Sequence, residues 1–113
     1  TWDNDRVCSL GIIVEQAGGS ISNVTYDNIE IYKDTGRAIG CLIYGDDVQN
    51  FSISNIKYKN IRYTAPLKNK IASNGKPNSI QVEFENVYAS GSKITSLNTN
   101  QFEYDSYANI TIK

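Results

Sequence analysis

The chain has 113 residues, of which 40% are hydrophobic, and a formal net charge of -1. This length suits one domain, and so small a charge gives no electrostatic reason to expect nucleic acid or an anionic membrane as a partner. No stretch approaches the ~20 consecutive apolar residues of a membrane-spanning helix, which excludes insertion by a helix. The composition, rich in Ile, Asn, Ser and Tyr, favours strands joined by tight polar corners.

The first residues combine the only tryptophan with polar and charged side chains. Trp2, Asn4 and Asp5 are candidate substrate-binding residues, because an indole can stack on a sugar ring while an amide and a carboxylate bind its hydroxyls. A frayed terminus would have the same composition. Since no amphipathic capping segment precedes the first apolar run, we expect further coils of the same protein upstream of Thr1.

Two near-continuous apolar runs, at residues 11–14 and 41–44, are typical of parallel strands buried between coils. Glu15 follows the first run, and Asp46 and Asp47 follow the second, so stacking of the coils would bring these carboxylates together. Carboxylates ~6.5–9.5 Å apart suit an inverting glycosidase, and ~5–5.5 Å a retaining one. They are therefore candidate catalytic residues, although a glycine followed by two aspartates is also an ordinary turn sequence.

The two cysteines, Cys8 and Cys41, form no C-x-x-C pair, and the chain has no histidine. This pattern predicts no metal site, redox motif or cofactor. Either both cysteines are small buried hydrophobic residues, or they form a disulfide between neighbouring coils of a secreted protein.

An internal repeat gives the strongest prediction of the fold. Residues 21–31 recur as residues 53–63, with identity at six of eleven positions and an offset of 32. Within each copy, apolar and polar residues alternate and then change phase at an Asn, which indicates short strands separated by bends. A constant core with inserted loops of variable length is typical of an irregular solenoid.

A shorter motif, aromatic-x-Asn-aliphatic, occurs four times, with spacings of 32, 26 and 23 residues. Asn tolerates the left-handed backbone that a sharp corner needs. We therefore predict a ladder of corner side chains formed by Asn28, Asn60, Asn86 and Asn109. Together these patterns predict an all-β chain, a single right-handed parallel β-helix segment over residues 1–113 with three to four coils. We expect it to be part of a longer β-helix whose other coils lie upstream.

The stretch at about residues 64–79 interrupts this pattern with both prolines, Gly75 and three lysines. It is interpreted as a long loop excursion. Loops of this length in compact domains are often functional, so it is either a flank of a substrate-binding face or a solvated surface loop.

The chain resembles the C-terminal coils of the β-helix glycoside hydrolases of family 49, the dextranase and isopullulanase group, and of the related family 87. The residues that carry this resemblance are 2–5, 21–24, 38–40, 50–55 and 91–95. The tryptophan segment of that family tends to carry a His before its Asn-Asp, and this chain has no His there.

The resemblance implies a portion of a secreted enzyme that hydrolyses α-glucans with inversion, with catalytic aspartates upstream of the matching segment. On this hypothesis the chain supplies scaffold and one wall of a polysaccharide cleft outside the cell, and is inactive alone. The alternative is a non-enzymatic β-solenoid, such as an adhesin-like or tailspike-like surface protein that binds glycans. Upstream coils with aspartates would favour the first hypothesis, and a regular extended assembly without a carboxylate pair would favour the second.

Overall fold

A computed structural model describes residues 8–16 and 18–113 of the chain. In this part of the chain all regular structure is β-sheet. The strands are β1 (Cys8–Val14), β2 (Ser20–Tyr32), β3 (Arg37–Ile43), β4 (Ser52–Thr64), β5 (Asn69–Ala72), β6 (Ser79–Ala89), β7 (Ser92–Lys93), β8 (Phe102–Tyr104) and β9 (Ala108–Ile112). Over the same residues, the structure has no helix that is long and apolar enough to cross a bilayer.

The strands form two sheets that wind together as a parallel β-helix of about four coils. One sheet has the order β1-β3-β5-β8, and the other has the order β2-β4-β6, to which β9 adds in parallel and β7 in antiparallel orientation. Each coil contributes one strand to each sheet. The predicted all-β solenoid is confirmed.

The repeat in the sequence corresponds to strand pairing in register. Strands β2 and β4 pair in parallel with Ile21 opposite Ile53 and Tyr26 opposite Tyr58. Like side chains therefore lie above one another, and the inward-facing aliphatic and aromatic residues form a continuous core. The apolar runs of β1 and β3 also pair as expected, with Ile12 opposite Cys41.

Asparagines turn the corners of the coils. Among the described non-glycine residues, seven have a positive φ, and six of these are asparagines: Asn23, Asn28, Asn50, Asn55, Asn60 and Asn86. Their amides also bond from coil to coil. Asn86 Nδ2 donates to Asn60 Oδ1 at 2.8 Å, and Asn60 Nδ2 donates to Asp27 Oδ1 at 2.8 Å.

Asn109 does not belong to this ladder, and its predicted position there is wrong. In the pairing of β6 with β9, Asn109 lies opposite Gln81 and Ile112 lies opposite Phe84. The four-residue motif was too short to determine its phase, because an Asn followed by an aliphatic residue also occurs at the preceding corner, as Asn55 and Ile56. Asn109 instead lines the same groove as Gln81 and Asn55, the residue of that earlier corner.

The segment at residues 64–79, predicted as a loop excursion, contributes strand β5 to the solenoid. β5 pairs in parallel with β3 and with β8. Only Asn69 and Ile71 of this strand are fully buried, and Asn69 Nδ2 donates to the Tyr63 hydroxyl at 2.8 Å. Because one of the two inward side chains is polar, the alternation that marks the other strands is missing from the sequence.

The corner after β5 is held by the side chain of Asn74. Its Nδ2 donates to the carbonyl oxygens of Gly45 and, at 2.9 Å, of Val48, both in the preceding coil. Its Oδ1 accepts from the backbone N–H of Lys76 at 3.0 Å. Gly75, with φ of 88°, adopts the left-handed conformation that completes the turn. The corners of successive coils are thereby bonded to each other.

The two ends of the described solenoid differ. After β6 the chain reverses at Ser90 and Gly91, both with positive φ, and β7 pairs antiparallel with the end of β6. Ile94 follows this hairpin and is buried. At the opposite end the inward-facing residues of β2 are only half-buried: Ile21, Val24, Tyr26, Ile29 and Ile31.

Candidate functional site

The backbone segments that carry the candidate catalytic carboxylates are hydrogen-bonded neighbours in successive coils. Glu15 follows β1, and the N–H groups of Tyr44 and Gly45 donate to the Val14 carbonyl at 2.7 and 3.1 Å. Asp46 and Asp47 are exposed residues of a turn in which the Val48 N–H donates to the Gly45 carbonyl at 3.2 Å. The turn interpretation of these two aspartates therefore describes their local structure.

Asp46 lines a shallow groove of about 270 Å³, together with Tyr44, Lys70, Ser73 and other residues of β3 and β5. Asp46 is the one carboxylate among the residues that line it. Hydrolysis by an acid and a base needs two carboxyl groups on opposite sides of the scissile bond. This groove therefore supplies half of such a pair, and the catalytic role of Asp46 stays a prediction.

The candidate substrate-binding residues Trp2, Asn4 and Asp5 lie outside the described residues. Their role in binding a sugar stays a prediction from the sequence.

Several outward-facing aromatic and charged groups lie together on the sheet of β2, β4 and β6. Glu30, Arg62 and Tyr88 lie side by side on the three successive strands. Together with Tyr32 and neighbouring residues they line an open groove of about 390 Å³, which we call the tyrosine groove. Its full lining is Glu30, Ile31, Tyr32, Arg62, Tyr63, Thr64, Tyr88 and Gly91.

Two aromatic rings of the tyrosine groove are available to a ligand in different ways. Tyr32 is 80% exposed, the most exposed large hydrophobic side chain in the described residues. Tyr88 is half-buried, and the Arg62 guanidinium lies 4.3 Å from the centre of its ring. This cation-π contact orients Arg62 across the groove and leaves its remaining N–H groups for a ligand. From strand spacings, the two tyrosine Cα atoms are about 12 Å apart.

A second groove, of about 480 Å³, continues the first along the same face. It is lined by the corner asparagines Asn28, Asn60 and Asn86. Glu30 and Arg62 line both grooves, so the two form one continuous surface. We call the second the asparagine groove. Each corner amide offers donor and acceptor atoms beyond those used in the ladder.

Charges on this face alternate in sign from strand to strand. Asp27 lies opposite Lys59, which lies opposite Glu85. Lys57 lies opposite Glu83, and Glu83 also forms an ion pair with Lys113 at 3.2 Å. Opposite charges on neighbouring strands attract each other and compensate over the face. The surface is therefore polar but close to neutral, which suits an uncharged ligand.

The interior holds thiols and phenols rather than a reactive site. Both cysteines are free thiols, and burial raises the pKa of Cys41 to about 12. Burial likewise raises the pKa of Cys8 and, well above its ordinary value, that of Tyr58. These groups are neutral near pH 7, so they behave as core residues. Within the described part of the chain, no group of three or more His, Cys, Asp or Glu side chains is arranged to hold a metal ion.

The sequence patterns missed the tyrosine groove. Its aromatic residues occupy different rows of the face, since Tyr32 lies opposite Thr64 and Tyr88 lies opposite Arg62. The repeat shows which residues coincide from coil to coil, whereas this groove is built from residues that do not. The signal that was available is position: Glu30, Arg62 and Tyr88 are all at outward-facing positions after a corner asparagine.

Searches of family models, curated proteins and solved structures give no match to this chain. The resemblance to glycoside hydrolase families 49 and 87 therefore stays a prediction from the residues that carry it.

Proposed function

We propose that this β-helix segment binds a saccharide chain on the continuous surface of the tyrosine and asparagine grooves, as scaffold and one wall of a polysaccharide cleft. The observation that carries the proposal is the combination of an exposed ring, Tyr32, with the oriented Arg62–Tyr88 pair on one flat face. Sugars present apolar ring faces and hydroxyl edges, and this surface offers partners for both.

The polar groups support the same ligand class. Hydroxyl groups donate and accept hydrogen bonds, and the corner amides of Asn28, Asn60 and Asn86 do the same at regular strand spacing. Glu30 accepts and Arg62 donates where the two grooves meet. Because the charges on this face are compensated from strand to strand, an uncharged polysaccharide such as an α-glucan fits it better than an anionic one.

We place the catalytic residues upstream of this chain. Five grooves on the described surface each have at most one carboxylate among their lining residues: Glu30 in two of them, Glu83 and Asp46 in one each, and none in the fifth. The resemblance to family 49 supports the same division. On that basis the chain is the C-terminal β-helix portion of a secreted α-glucan hydrolase, with catalytic aspartates upstream, and Trp2, Asn4 and Asp5 are further substrate contacts.

The proposal is tested by measuring the affinity of the chain for α-glucan oligosaccharides by titration calorimetry. We expect Tyr32→Ala to weaken binding about tenfold, since a stacked ring contributes ~1 kcal/mol or more. Arg62→Ala should weaken it similarly. Tyr104→Ala is the matched control, because Tyr104 is also an exposed tyrosine, at 42%, but lies on the other sheet. Equal losses for Tyr32→Ala and Tyr104→Ala, or no binding by the parent chain, would contradict it.

A non-enzymatic, glycan-binding solenoid is the second candidate. The absence of a carboxylate pair from each of the described grooves favours it as much as it favours a scaffold role. An assay for reducing ends released from the same glucans distinguishes these two roles, scaffold and non-enzymatic binding, from catalysis by the chain itself. A purified chain that hydrolyses the glucan would show that catalysis is present in these residues, and Asp46→Asn and Glu15→Gln would then identify the groups involved.

A further inference from the structure

The outer edge of β2 lies at the open end of the solenoid. β2 is the first strand of its sheet, and among residues 8–16 and 18–113 only β4 pairs with it. Its thirteen residues are as many as those of β4, which pairs on both sides. In β4 the inward residues Ile53, Ile56, Tyr58 and Ile61 are fully buried, whereas the corresponding residues of β2 are half-buried. A long edge strand of this kind is a template for another strand.

The charges on this edge are of one sign. In one column the charges alternate over three strands, from Glu85 through Lys59 to Asp27, and in a second column Glu30 lies beside Arg62, which is followed by Tyr88. Both columns therefore end on a carboxylate at the outer edge. A strand that continued the alternation would place a cation opposite each of them, because opposite charges are favoured in cross-strand pairs.

Two side-chain columns also end at β2. The ring of Tyr26 stacks on that of Tyr58 at 5.4 Å and 10°, and the column continues to Phe84 at 4.9 Å. Tyr26 is half-buried where Tyr58 is fully buried. Asn23 accepts a hydrogen bond from Asn55 at 2.6 Å through Oδ1, and its own Nδ2 group is the next donor in that column.

The opposite end of the same sheet is built differently, because β6 pairs in parallel with β9 along residues 80–84 and antiparallel with β7 at Tyr88 and Ala89. β7 covers the end of β6 with an antiparallel hairpin, and Ile94 is buried beneath it. The two edges of the sheet therefore differ in length, since β2 presents thirteen residues at one edge and β9 presents five at the other.

We propose that the outer edge of β2 binds a parallel strand of a further β-helix coil, which carries Lys or Arg opposite Asp27 and Glu30 and an aromatic residue opposite Tyr26. This proposal rests on the fold and the charge pattern and is independent of saccharide binding. The docked strand would continue the tyrosine groove outward, since Glu30 and Tyr32 are the residues of that groove on β2.

A peptide with the sequence of Ser52–Thr64 is a suitable probe, because it carries the cations and the tyrosine in the required register. We expect it to bind the chain with a stoichiometry of one. In NMR spectra of the labelled chain, the largest shift changes should be at amides of β2, with little change in β9. Absence of binding, or changes spread evenly over the chain, would overturn the proposal.

The charge requirement is tested by a double-mutant cycle. In the peptide, Lys59→Gln and Arg62→Gln remove the cations; in the chain, Asp27→Asn and Glu30→Gln remove the carboxylates while keeping the acceptor that Asn60 uses. The peptide substitutions alone, or the chain substitutions alone, should weaken binding about three- to tenfold. The two sets combined should weaken it little more than one set does. Independent, additive losses would overturn the charge pairing. Sedimentation that shows a dimer with β2 buried between two copies would overturn the choice of occupant.

Discussion

Asparagine has two separate roles at the corners of this β-helix, and they can be separated by substitution. Asn60 has φ of 54°, in the region where most side chains are strained. Its amide also donates to Asp27 and accepts from Asn86, each at 2.8 Å. The backbone role needs only a residue that tolerates positive φ, whereas the ladder needs the amide itself.

We expect Asn60→Ala to lower the free energy of unfolding by about 1–3 kcal/mol, since it removes two exposed hydrogen bonds and places a Cβ in the left-handed region. Asn60→Gly keeps the conformation and loses only the bonds, so its cost should be smaller, ~1 kcal/mol. Urea denaturation of both variants measures the difference. A glycine variant that is no more stable than the alanine variant would contradict the backbone role, because both variants lack the amide.

The buried thiol of Cys41 makes stability depend on alkaline pH. Its pKa rises from 9.0 to about 12 on burial, so the folded state keeps the proton that the unfolded state loses. Stability from this group is complete below pH 9 and is lost as the pH rises toward 12, at ~1.4 kcal/mol per pH unit or about 4 kcal/mol in all.

We therefore expect Cys41→Ala to be less stable than the parent at pH 8 because of the cavity, and the gap to narrow as the pH rises to 11. Denaturant unfolding of both proteins at matched ionic strength measures this gap. A difference in the free energy of unfolding that stays constant with pH would contradict the raised pKa of the Cys41 thiol. The buried phenol of Tyr58 adds a loss of the same sign in both proteins, because burial is the largest cause of its raised pKa.

At the scale of strands, the aromatic column of β2, β4 and β6 contains one hydroxyl that lacks a partner. Tyr58 is fully buried between Tyr26 and Phe84, and the structure gives its hydroxyl no hydrogen-bond partner. Tyr63, on the same strand, has a hydroxyl that accepts from Asn69 at 2.8 Å. The two tyrosines therefore form a matched pair.

Tyr58→Phe should raise the free energy of unfolding by about 1 kcal/mol, because it removes an unsatisfied polar group and keeps the stacked ring. Tyr63→Phe should lower it by ~1–2 kcal/mol, because it leaves the buried Asn69 amide without its acceptor. Thermal and urea unfolding give both values. Changes of the same sign in the two variants would contradict this account of the column.

Pairing of strands was predictable wherever the repeat was long, and not where it was short. The eleven-residue repeat predicted that Ile21 lies above Ile53 and Tyr26 above Tyr58, and the register confirms it. The four-residue motif around Asn109 matched two corners, so its phase could not be determined. β5 was missed because its two inward residues include a buried Asn whose partner, Tyr63, is on another strand. Satisfaction of a polar group by a distant residue leaves no periodic signal.

For the whole molecule, the stacked coils imply a gradient of stability. Each coil contacts only its neighbours, so the free energy is close to a sum of coil and interface contributions. β4 is paired on both sides, and its inward residues are fully buried, whereas β2 is an edge strand with half-buried residues. Fraying should therefore begin at the edge strands β2 and β9, whose inward residues are half-buried, rather than at β4.

Native-state hydrogen exchange tests this gradient. We expect amides of β4 that bond to neighbouring strands to exchange at least about tenfold more slowly than those of β2. The end of β6 under the β7 hairpin should be better protected than β2, because it is covered. Uniform exchange across all coils would indicate a single cooperative unit and contradict the gradient.

The corner at Asn74 has a chemical consequence over long times. An Asn followed by Gly is the dipeptide most open to deamidation: the glycine nitrogen attacks the side-chain carbonyl carbon, ammonia leaves, and water opens the resulting succinimide to Asp or isoaspartate. In the folded chain the Asn74 amide is held by the Gly45 and Val48 carbonyls, so deamidation should be confined to molecules in which this corner has opened. The product would place a carboxylate against those same carbonyls and resist re-closure. The extent of deamidation at Asn74, measured by mass spectrometry, therefore reports how often the contact between the second and third coils has opened.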